Sequence, residues 1–168
     1  MQKIMVIGSC GAGKSTLSKQ IGQAKNLPII HLDQLHWKPN WVESTKEEFA
    51  AKQRTALAIE KWVADGNYGG TMDIRLERAD TIVWLDLPVS ICFYRVLKRI
   101  VKNYGKTRSD MTNGCPERFN LEFLHYVLTF PFHARRRLVK KLEKKRDGQV
   151  VFHLKDRKEV REFLEELD

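Results

Sequence analysis

Cysteine is scarce in this sequence, and long apolar runs are missing. The three cysteines, Cys10, Cys92 and Cys115, are odd in number, lie far apart and form no Cys-x-x-Cys pair. This spacing excludes a disulfide framework and a cysteine-based zinc site, and it favours a reducing cytoplasm. No apolar run reaches the length of a membrane-spanning helix, so we expect no membrane segment. Internal repeats and low-complexity tracts are also missing, which favours a single domain over residues 1–168.

Acidic residues are outnumbered by basic ones. The chain has 30 Lys and Arg against 21 Asp and Glu, a formal net charge of +9. A chain this basic is expected to meet an anionic partner. Nucleic acid is one candidate, and an enzyme site that binds a triphosphate and a second anionic substrate is the other.

One nonapeptide matches the phosphate-binding pattern G-x-x-x-x-G-K-[ST] at each required position. It lies between an apolar run at residues 3–7 and a helix predicted over residues 15–25, which is the context that the motif requires. The loop predicts ATP binding, with Lys14 following the β- and γ-phosphates and Ser15 ligating Mg²⁺. The predicted nucleotide-binding residues are Gly8, Ser9, Cys10, Gly11, Ala12, Gly13, Lys14, Ser15 and Thr16.

Five apolar runs alternate with helical patterns along the chain. The runs cover residues 3–7, 27–32, 62–65, 81–87 and 149–153. Strand–helix alternation is typical of a parallel sheet covered on both faces, so we predict an α/β fold with a five-stranded parallel sheet. The spacing of Thr45 and Glu48 also predicts a capping box at the start of a helix.

Aspartates follow three of the predicted strands. Ligands collect beyond the carboxyl ends of parallel strands, so Asp33 is predicted to orient a phosphoryl acceptor; an aspartate there can also simply cap a turn. Asp65 and Asp86 both fit the pattern of a strand followed by a magnesium-ordering aspartate, and their spacing does not choose between them. We favour Asp65, since Gly66 leaves room for a phosphate or metal.

Two tryptophans lie close together in a turn-rich segment, at Trp37 and Trp41. Their indoles can stack on a planar acceptor or cover a small hydrophobic cluster, and the sequence leaves both interpretations open.

A helix is predicted from Val89 to Tyr104. Its apolar residues at helical spacing, predicted to form the buried face, are Ile91, Tyr94, Leu97, Ile100, Val101 and Tyr104. The basic residues Arg95, Lys98, Arg99 and Lys102 fall on the other side. Arg95 and Arg99, four residues apart, are predicted to clamp a transferring phosphoryl group.

The segment over residues 103–118 is polar, contains glycine and lacks periodicity. This composition predicts a lid that excludes water and delivers cations. Residues 119–146 are predicted to be largely helical, with an interruption near Pro131. Because Arg135, Arg136 and Arg137 are consecutive on a helix, at most two of them can reach one site.

The chain resembles the adenylate-kinase-like branch of the P-loop kinases, and most closely the bacterial DNA topology modulation (FlaR-related) family. The resemblance rests on the phosphate loop and on four further blocks: His31 to Trp37 with Trp41, Asp65-Gly66-Asn67-Tyr68, Trp84-Leu85-Asp86-Leu87-Pro88, and Gly114-Cys115-Pro116-Glu117. It implies a core sheet in the strand order 2-3-1-4-5, an acceptor-binding segment after strand two and a lid after strand four.

The resemblance also implies roles for single residues. Asp65 would order magnesium-bound water, and Arg95 and Arg99 would start the lid. One of Arg135 to Arg137 would return from it, and we choose Arg135. The loop that contains Arg157 would lie against the nucleotide base. Adenylate kinases carry Asp-Gly-Phe-Pro-Arg where this chain has Asp65-Gly66-Asn67-Tyr68-Gly69, so the arginine that grips the monophosphate is missing, and Arg75 is the candidate replacement.

The sequence therefore predicts a phosphotransferase that uses ATP and Mg²⁺ and acts on an undetermined small anionic or hydroxylated acceptor. The alternative is a nucleotide-dependent, DNA-binding regulatory protein, which the basic stretch at residues 135–146 favours. The chain has no helix-turn-helix, zinc-finger or aromatic RNA-binding signature, which speaks against it. Nucleic acid is thus the less favoured partner, and the sequence does not predict an oligomeric state.

Overall fold

A computed structural model describes residues 1–167 of the chain. Strands and helices alternate along most of it. The elements are β1 (Lys3–Gly8), α1 (Lys14–Lys25), β2 (Ile29–His31), α2 (Leu32–His36), β3 (Trp37–Lys38), β4 (Val42–Glu43), α3 (Lys46–Ala56), β5 (Trp62–Asp65), α4 (Met72–Leu76), β6 (Thr81–Leu85), α5 (Val89–Asn103), α6 (Leu121–Thr129), α7 (Ala134–Leu142), β7 (Val150–Leu154) and α8 (Arg157–Glu165), with 3-10 turns at Pro39–Trp41 and Gly69–Thr71.

Five strands form one parallel sheet in the order β2-β5-β1-β6-β7. Counted along the chain, this is the predicted order 2-3-1-4-5, so both the fold class and the sheet topology are confirmed. The register sets Val6 beside Asp65, and Asp65 beside His31. The carboxyl ends of β1, β2 and β5 therefore meet at one edge of the sheet, where the site lies.

Helices cover both faces of this sheet, as predicted. One face packs on α1, α5 and α8 through a core that includes Leu17, Val96 and Phe163. The other face packs on α4, on α7 and on the chain after α3, through residues such as Met72 and Leu138. Burial on both faces explains why the strands are almost continuously apolar.

The buried face of α5 differs from the predicted one. Cys92, Val96 and Ile100 are buried, whereas Tyr94 is 62% exposed and Val101 is 81% exposed. The reason is the close approach of the phosphate loop: a Cβ atom on Gly11 would lie 2.3 Å from the carbonyl oxygen of Cys92. The side of α5 that carries Cys92 and Val96 therefore faces the loop, and Tyr94 and Val101 face outward.

The segment after β2 has more structure than the sequence predicted. Asp33 lies within the short helix α2, and the two-residue strands β3 and β4 form a hairpin around Pro39–Trp41. Elements this short carry no periodic signal. The capping box at Thr45 is confirmed: its side chain accepts from the Glu48 amide, and the Glu48 carboxylate accepts from the Thr45 amide.

The thiols of Cys10, Cys92 and Cys115 are all free, as the cysteine spacing predicted. Within residues 1–167, no helix combines the length and the apolar character needed to cross a membrane.

Candidate active site

The phosphate loop connects β1 to α1, and three of its glycines have left-handed backbone torsions. The φ angles are 143° at Gly8, 81° at Gly11 and 103° at Gly13. Gly8 and Gly11 are pressed against the backbones of β6 and α5, whereas a Cβ on Gly13 would meet only Arg95 Nη1 at 3.8 Å. The amino-terminal end of α1 is therefore open to the cavity, and a helix of 12 residues adds its partial positive charge there.

Lys14 lies across the mouth of this loop. Its ammonium donates to the carbonyl oxygens of Gly8 and Ser9, each at 3.0 Å, and forms no ion pair with a carboxylate in residues 1–167. The buried Ser9 hydroxyl lacks a hydrogen-bond partner in the same part of the chain. An uncompensated cation, an unpartnered hydroxyl and an open helix terminus fit a triphosphate with its Mg²⁺ ion.

The two arginines of α5 both line the cavity, as their spacing predicted. Arg95 Nη1 donates to the carbonyl oxygen of Ala12 at 3.1 Å, so this side chain braces the phosphate loop. Arg99 Nη2 pairs with Glu117 at 3.2 Å, and its guanidinium lies 5.7 Å from the centre of the Phe123 ring. Arg95 thus contacts the phosphate loop, whereas Arg99 lines the cavity from its pair with Glu117; their role as a phosphoryl clamp stays a prediction.

The lid segment is docked across the site in this structure. Arg108 pairs with Asp110 at 2.8 Å and with Glu117 at 3.0 Å, so acidic residues of the lid engage both Arg108 and Arg99. Burial alone would raise the pKa of Asp110, but the Arg108 charge, a hydrogen bond with Ser15 and the His31 charge together outweigh burial and hold that pKa below its usual value. Two arginines that face the cavity are therefore held by carboxylates that a polyanion can replace.

The lid also contacts the β3–β4 hairpin. The Thr112 hydroxyl donates to the carbonyl oxygen of Trp37 at 2.7 Å, and Trp41 Nε1 donates to that of Pro116 at 3.0 Å. The Arg118 guanidinium lies 5.2 Å from the centre of the Trp41 ring. Trp37 and Trp41 pack edge to face and both line the cavity, so the pair serves lid docking while one surface stays available to a ligand.

Asp65 ends β5 and is buried at the cavity wall. Its Oδ1 atom lies 2.7 Å from His31 Nδ1. Burial alone would lower the pKa of His31; the hydrogen bond with Asp65 and the charges of Asp65 and Asp110 outweigh burial and raise it. The imidazolium form is thus favoured in the fold.

This raised pKa predicts a pH-dependent stability. A pKa raised above the unfolded value contributes stability that is complete below about pH 6.5 and is lost as the pH rises through the folded-state pKa. The free energy of unfolding of the wild type should exceed that of His31→Gln by more at pH 6 than at pH 9, as measured by urea denaturation. His125→Gln, at an exposed position on α6, is the control, and an equal difference at both pH values for His31→Gln contradicts the prediction.

Asp86 and Arg135 bind each other, away from the phosphate loop. Arg135 makes a bidentate ion pair with Asp86, at 2.9 Å from Nε and 2.7 Å from Nη2, and His153 Nε2 lies 2.8 Å from the same carboxylate. The Arg135 guanidinium also lies 5.2 Å from the centre of the Trp84 ring. The structure therefore does not place Arg135 as a phosphoryl clamp, because Asp86 holds it outside the cavity; Arg137, two residues on, lines the cavity instead.

Asp33 lies at the acceptor side of the cavity. The Tyr68 hydroxyl donates to Asp33 Oδ1 at 2.5 Å, and burial raises the pKa of Tyr68, so this phenol stays protonated. Tyr68 has a left-handed φ of 37°, a conformation that costs energy for an aromatic residue. Asp33 is therefore held in one orientation at the wall of the cavity.

Asn67 had no predicted role of its own, and Arg75 was the candidate replacement for the missing monophosphate-binding arginine. The Asn67 side chain exchanges two hydrogen bonds with Gly8, accepting from its amide at 2.9 Å and donating to its carbonyl at 2.6 Å. Arg75 is fully buried and donates to the Asn67 carbonyl oxygen. Arg75 is thus a support for the loop and not the acceptor ligand that the resemblance suggested, since its guanidinium does not reach the cavity.

Arg157 opens α8 and is exposed, outside the cavity lining. Val160, one turn further along α8, is the residue of this helix that lines the cavity. The predicted contact of Arg157 with the nucleotide base therefore stays a prediction.

One cavity of about 1540 Å³ is lined by the phosphate loop, by the lid and by Asp33, Asp65, Arg95 and Arg99. The phosphate loop lies at its centre, Asp33 with the two tryptophans lies on one side, and the lid and α6 cover it. A nucleoside triphosphate and an acceptor together fit a cavity of this size, since pockets for single drug-sized ligands have volumes of about 300–1,000 Å³.

No protein-family model matches the sequence, and no curated protein matches it. Membership of the DNA topology modulation family therefore stays a prediction. Solved structures do share the fold. Shikimate kinase from Acinetobacter baumannii, in complex with shikimate, is 14% identical with a TM-score of 0.57, and the match covers 99% of this chain and 90% of that one.

Two further solved structures share the fold. A gluconokinase from Sinorhizobium meliloti 1021 is 19% identical with a TM-score of 0.53, over 99% of this chain and 89% of that one. Shikimate kinase from Bacteroides thetaiotaomicron is 18% identical with a TM-score of 0.52, over 98% and 94%. At these identities the likeness shows the fold alone, which is that of the P-loop kinases.

Proposed function

We propose that the protein is a kinase that moves the γ-phosphoryl group of ATP, bound with Mg²⁺, to a hydroxyl group of a small acceptor. The observation that carries this proposal is the geometry of one cavity. It brings together an uncompensated Lys14 on a glycine loop, two arginines of α5 and an oriented Asp33. The matched solved structures, which are named as kinases, support the same reaction class.

Phosphoryl transfer needs alignment and neutralisation of charge more than covalent chemistry by the protein. The loop amides and Lys14 would hold the β- and γ-phosphates, and Arg95 and Arg99 would neutralise charge on the transferring group. The Ser15 hydroxyl would ligate the magnesium ion and Asp65 would order its water. When bound, that ion neutralises charge on the phosphate oxygens.

Asp65 suits the magnesium role better than Asp86. Asp65 lines the cavity, whereas the Asp86 carboxylate is already occupied by Arg135 and His153 outside it. A carboxylate that holds a bidentate arginine has little capacity left for the water shell of a metal.

Asp33 would bind the acceptor hydroxyl and take its proton. The Tyr68 hydroxyl fixes the carboxylate through one oxygen, so the second oxygen can accept a hydrogen bond from the acceptor. A general base must lie within hydrogen-bond reach of the proton that it removes, and a fixed carboxylate satisfies this condition at lower entropic cost than a mobile one.

The DNA-binding alternative receives no support from the matched structures. The strongest cation cluster in the sequence also contributes Arg137 and three lysines to the cavity, where a substrate site needs them. We place the enzyme in the cytoplasm, since its three thiols are free.

The proposal is tested by following ADP formation from magnesium-ATP against a panel of nucleosides, nucleoside monophosphates and hydroxylated metabolites. One acceptor should raise turnover well above the hydrolysis background. Asp33→Ala should then lower kcat by about 100-fold or more, the usual size of a general-base effect. Tyr68→Phe, which keeps the carboxylate but frees it, should have a smaller effect.

A result in which Asp33→Ala retains full turnover contradicts the acceptor role of Asp33. A result in which every acceptor fails while duplex DNA alone changes ATP hydrolysis favours the regulatory alternative.

A further inference from the structure

The cavity has a second row of positive charge, away from the clamp of Arg95 and Arg99. Arg137 and Lys140 of α7 line it, together with Lys144 in the turn that follows and with Lys141 beside them. Arg137 and Lys140 are three residues apart and lie on one face of α7, and Lys144 follows beyond the end of the helix at Leu142. We refer to Arg137, Lys140 and Lys144 as the α7 row.

The packing of α7 fixes the place of this row in the cavity. Leu138 is buried in the core below the sheet, and Lys141 pairs with Asp73 of α4. The charge of Arg137 acts on the Tyr126 hydroxyl, which lies next to Asn67 and so near the phosphate loop; burial raises the pKa of Tyr126 to about 12. Arg137 is thus the inner end of the row, and Lys144 is its outer end.

The charges of the α7 row are uncompensated. Across residues 1–167, the side chains of Arg137, Lys140 and Lys144 form neither an ion pair nor a hydrogen bond with the protein. Other cations that line the cavity are paired: Arg99, Arg108 and Lys141 each have a carboxylate partner. Like charges three and four residues apart destabilise a helix, so an anion bound along the row would stabilise it.

The row is also long. From Arg137 it runs along α7 to the end of the helix at Leu142 and on into the turn that contains Lys144. A ligand that pairs with all three cations of the row therefore carries negative charge at a distance from its own reacting atom. A single carboxylate is satisfied by one bidentate arginine, whereas a phosphate monoester has about two charges and three acceptor oxygens for several cations.

We propose that the α7 row binds a phosphate group of the acceptor, so that the acceptor is a phosphorylated alcohol, such as a sugar phosphate or a nucleotide with a free hydroxyl. This inference rests on the proposed kinase function. The hydroxyl that receives the phosphoryl group is held at Asp33, and the existing phosphate of the acceptor lies along α7.

Binding is measured by calorimetry on the whole protein after saturation with magnesium and a nonhydrolysable ATP analogue, which fills the phosphate loop. The probes are glycerol 3-phosphate against glycerol, adenosine 3′-monophosphate against adenosine, and pyrophosphate, which needs no alcohol scaffold. Each phosphorylated probe that binds should do so at least about tenfold more tightly than its unphosphorylated partner, and the two pairs distinguish a sugar phosphate from a nucleotide.

The matched variants are Arg137→Gln/Lys140→Gln and Arg136→Gln/Lys145→Gln. Both remove one exposed arginine and one exposed lysine, but Arg136 and Lys145 do not line the cavity. The first variant should weaken the binding of the phosphorylated probes by at least about tenfold, and the second by less than about twofold. The affinity for the ATP analogue should be the same in both.

Equal weakening by the two variants overturns the inference, as does tighter binding of an unphosphorylated partner. Failure of all phosphorylated probes, pyrophosphate included, to bind the loaded protein overturns it too. The titration of the protein with the ATP analogue, made before the probes are added, distinguishes a failure of this inference from a failure of the kinase proposal. If the ATP analogue itself does not bind, or binds equally to Lys14→Ala, the kinase proposal is wrong; if it binds and the phosphorylated probes do not, only the inference is wrong.

Discussion

Replacing Lys14 by alanine is expected to lower kcat/KM for phosphoryl transfer by at least about 1000-fold. A single preorganised donor at a developing charge contributes about 100- to 1000-fold, and Lys14 supplies a full charge in addition to hydrogen bonds. Its present partners are only the carbonyl oxygens of Gly8 and Ser9, so the ammonium is free to move onto a triphosphate. Rates of ADP formation with the identified acceptor measure the effect.

The fold should tolerate this substitution, because Lys14 is half-buried and makes no ion pair within residues 1–167. Circular dichroism and thermal unfolding of Lys14→Ala should match those of the wild type. Lys61→Ala, at an exposed position far from the loop in sequence, is the control and should retain full activity. A Lys14→Ala enzyme that keeps a tenth of its kcat/KM contradicts the proposed role.

Gly8→Ala is expected to destabilise the protein by several kcal/mol, about 3 to 5. The backbone of Gly8 has a φ of 143°, which disfavours any residue with a Cβ atom. That Cβ would also lie 2.2 Å from the carbonyl oxygen of Leu85 on the neighbouring strand. Both are backbone constraints at the centre of the sheet, so no side-chain movement relieves them, and urea denaturation should show a much lower midpoint.

Gly70→Ala is the matched control. A Cβ on Gly70 meets nothing within 4 Å, and its φ is outside the left-handed region. Its effect on the free energy of unfolding should stay within about 0.5 kcal/mol, as for most surface substitutions. Similar midpoints for the two variants would show that the close approach of β1 to β6 does not constrain Gly8.

Local patterns predicted the strands well, because each has a contiguous apolar run. β5 begins at Trp62 and ends at Asp65, as predicted. The same patterns failed on α5, where hydrophobicity favoured Tyr94 and Val101 as buried residues. Burial there follows from how closely the phosphate loop approaches the helix, and the sequence of α5 alone does not contain that distance.

The lid, too, was predicted from the sequence only in part. Its composition predicted an irregular segment over the site, and residues 104–120 contain no helix or strand apart from one isolated bridge between Tyr104 and Glu117. The sequence did not predict which arginines the acidic residues of the lid would pair with. Arg99 and Arg108 meet at Glu117, and these residues are 9 to 18 positions apart.

The sequence by itself determined the phosphate loop and the alternation of strands and helices, because both depend on contiguous residues. The order of the sheet was implied by the family resemblance alone, and the structure confirmed it. The tertiary structure decided which charges are neutralised. It paired Asp86 with Arg135 and His153, set Asp65 against His31, and left the α7 row without partners. Those pairings join residues up to 67 positions apart, and whether a charge is neutralised depends on distance in space, which no local pattern records.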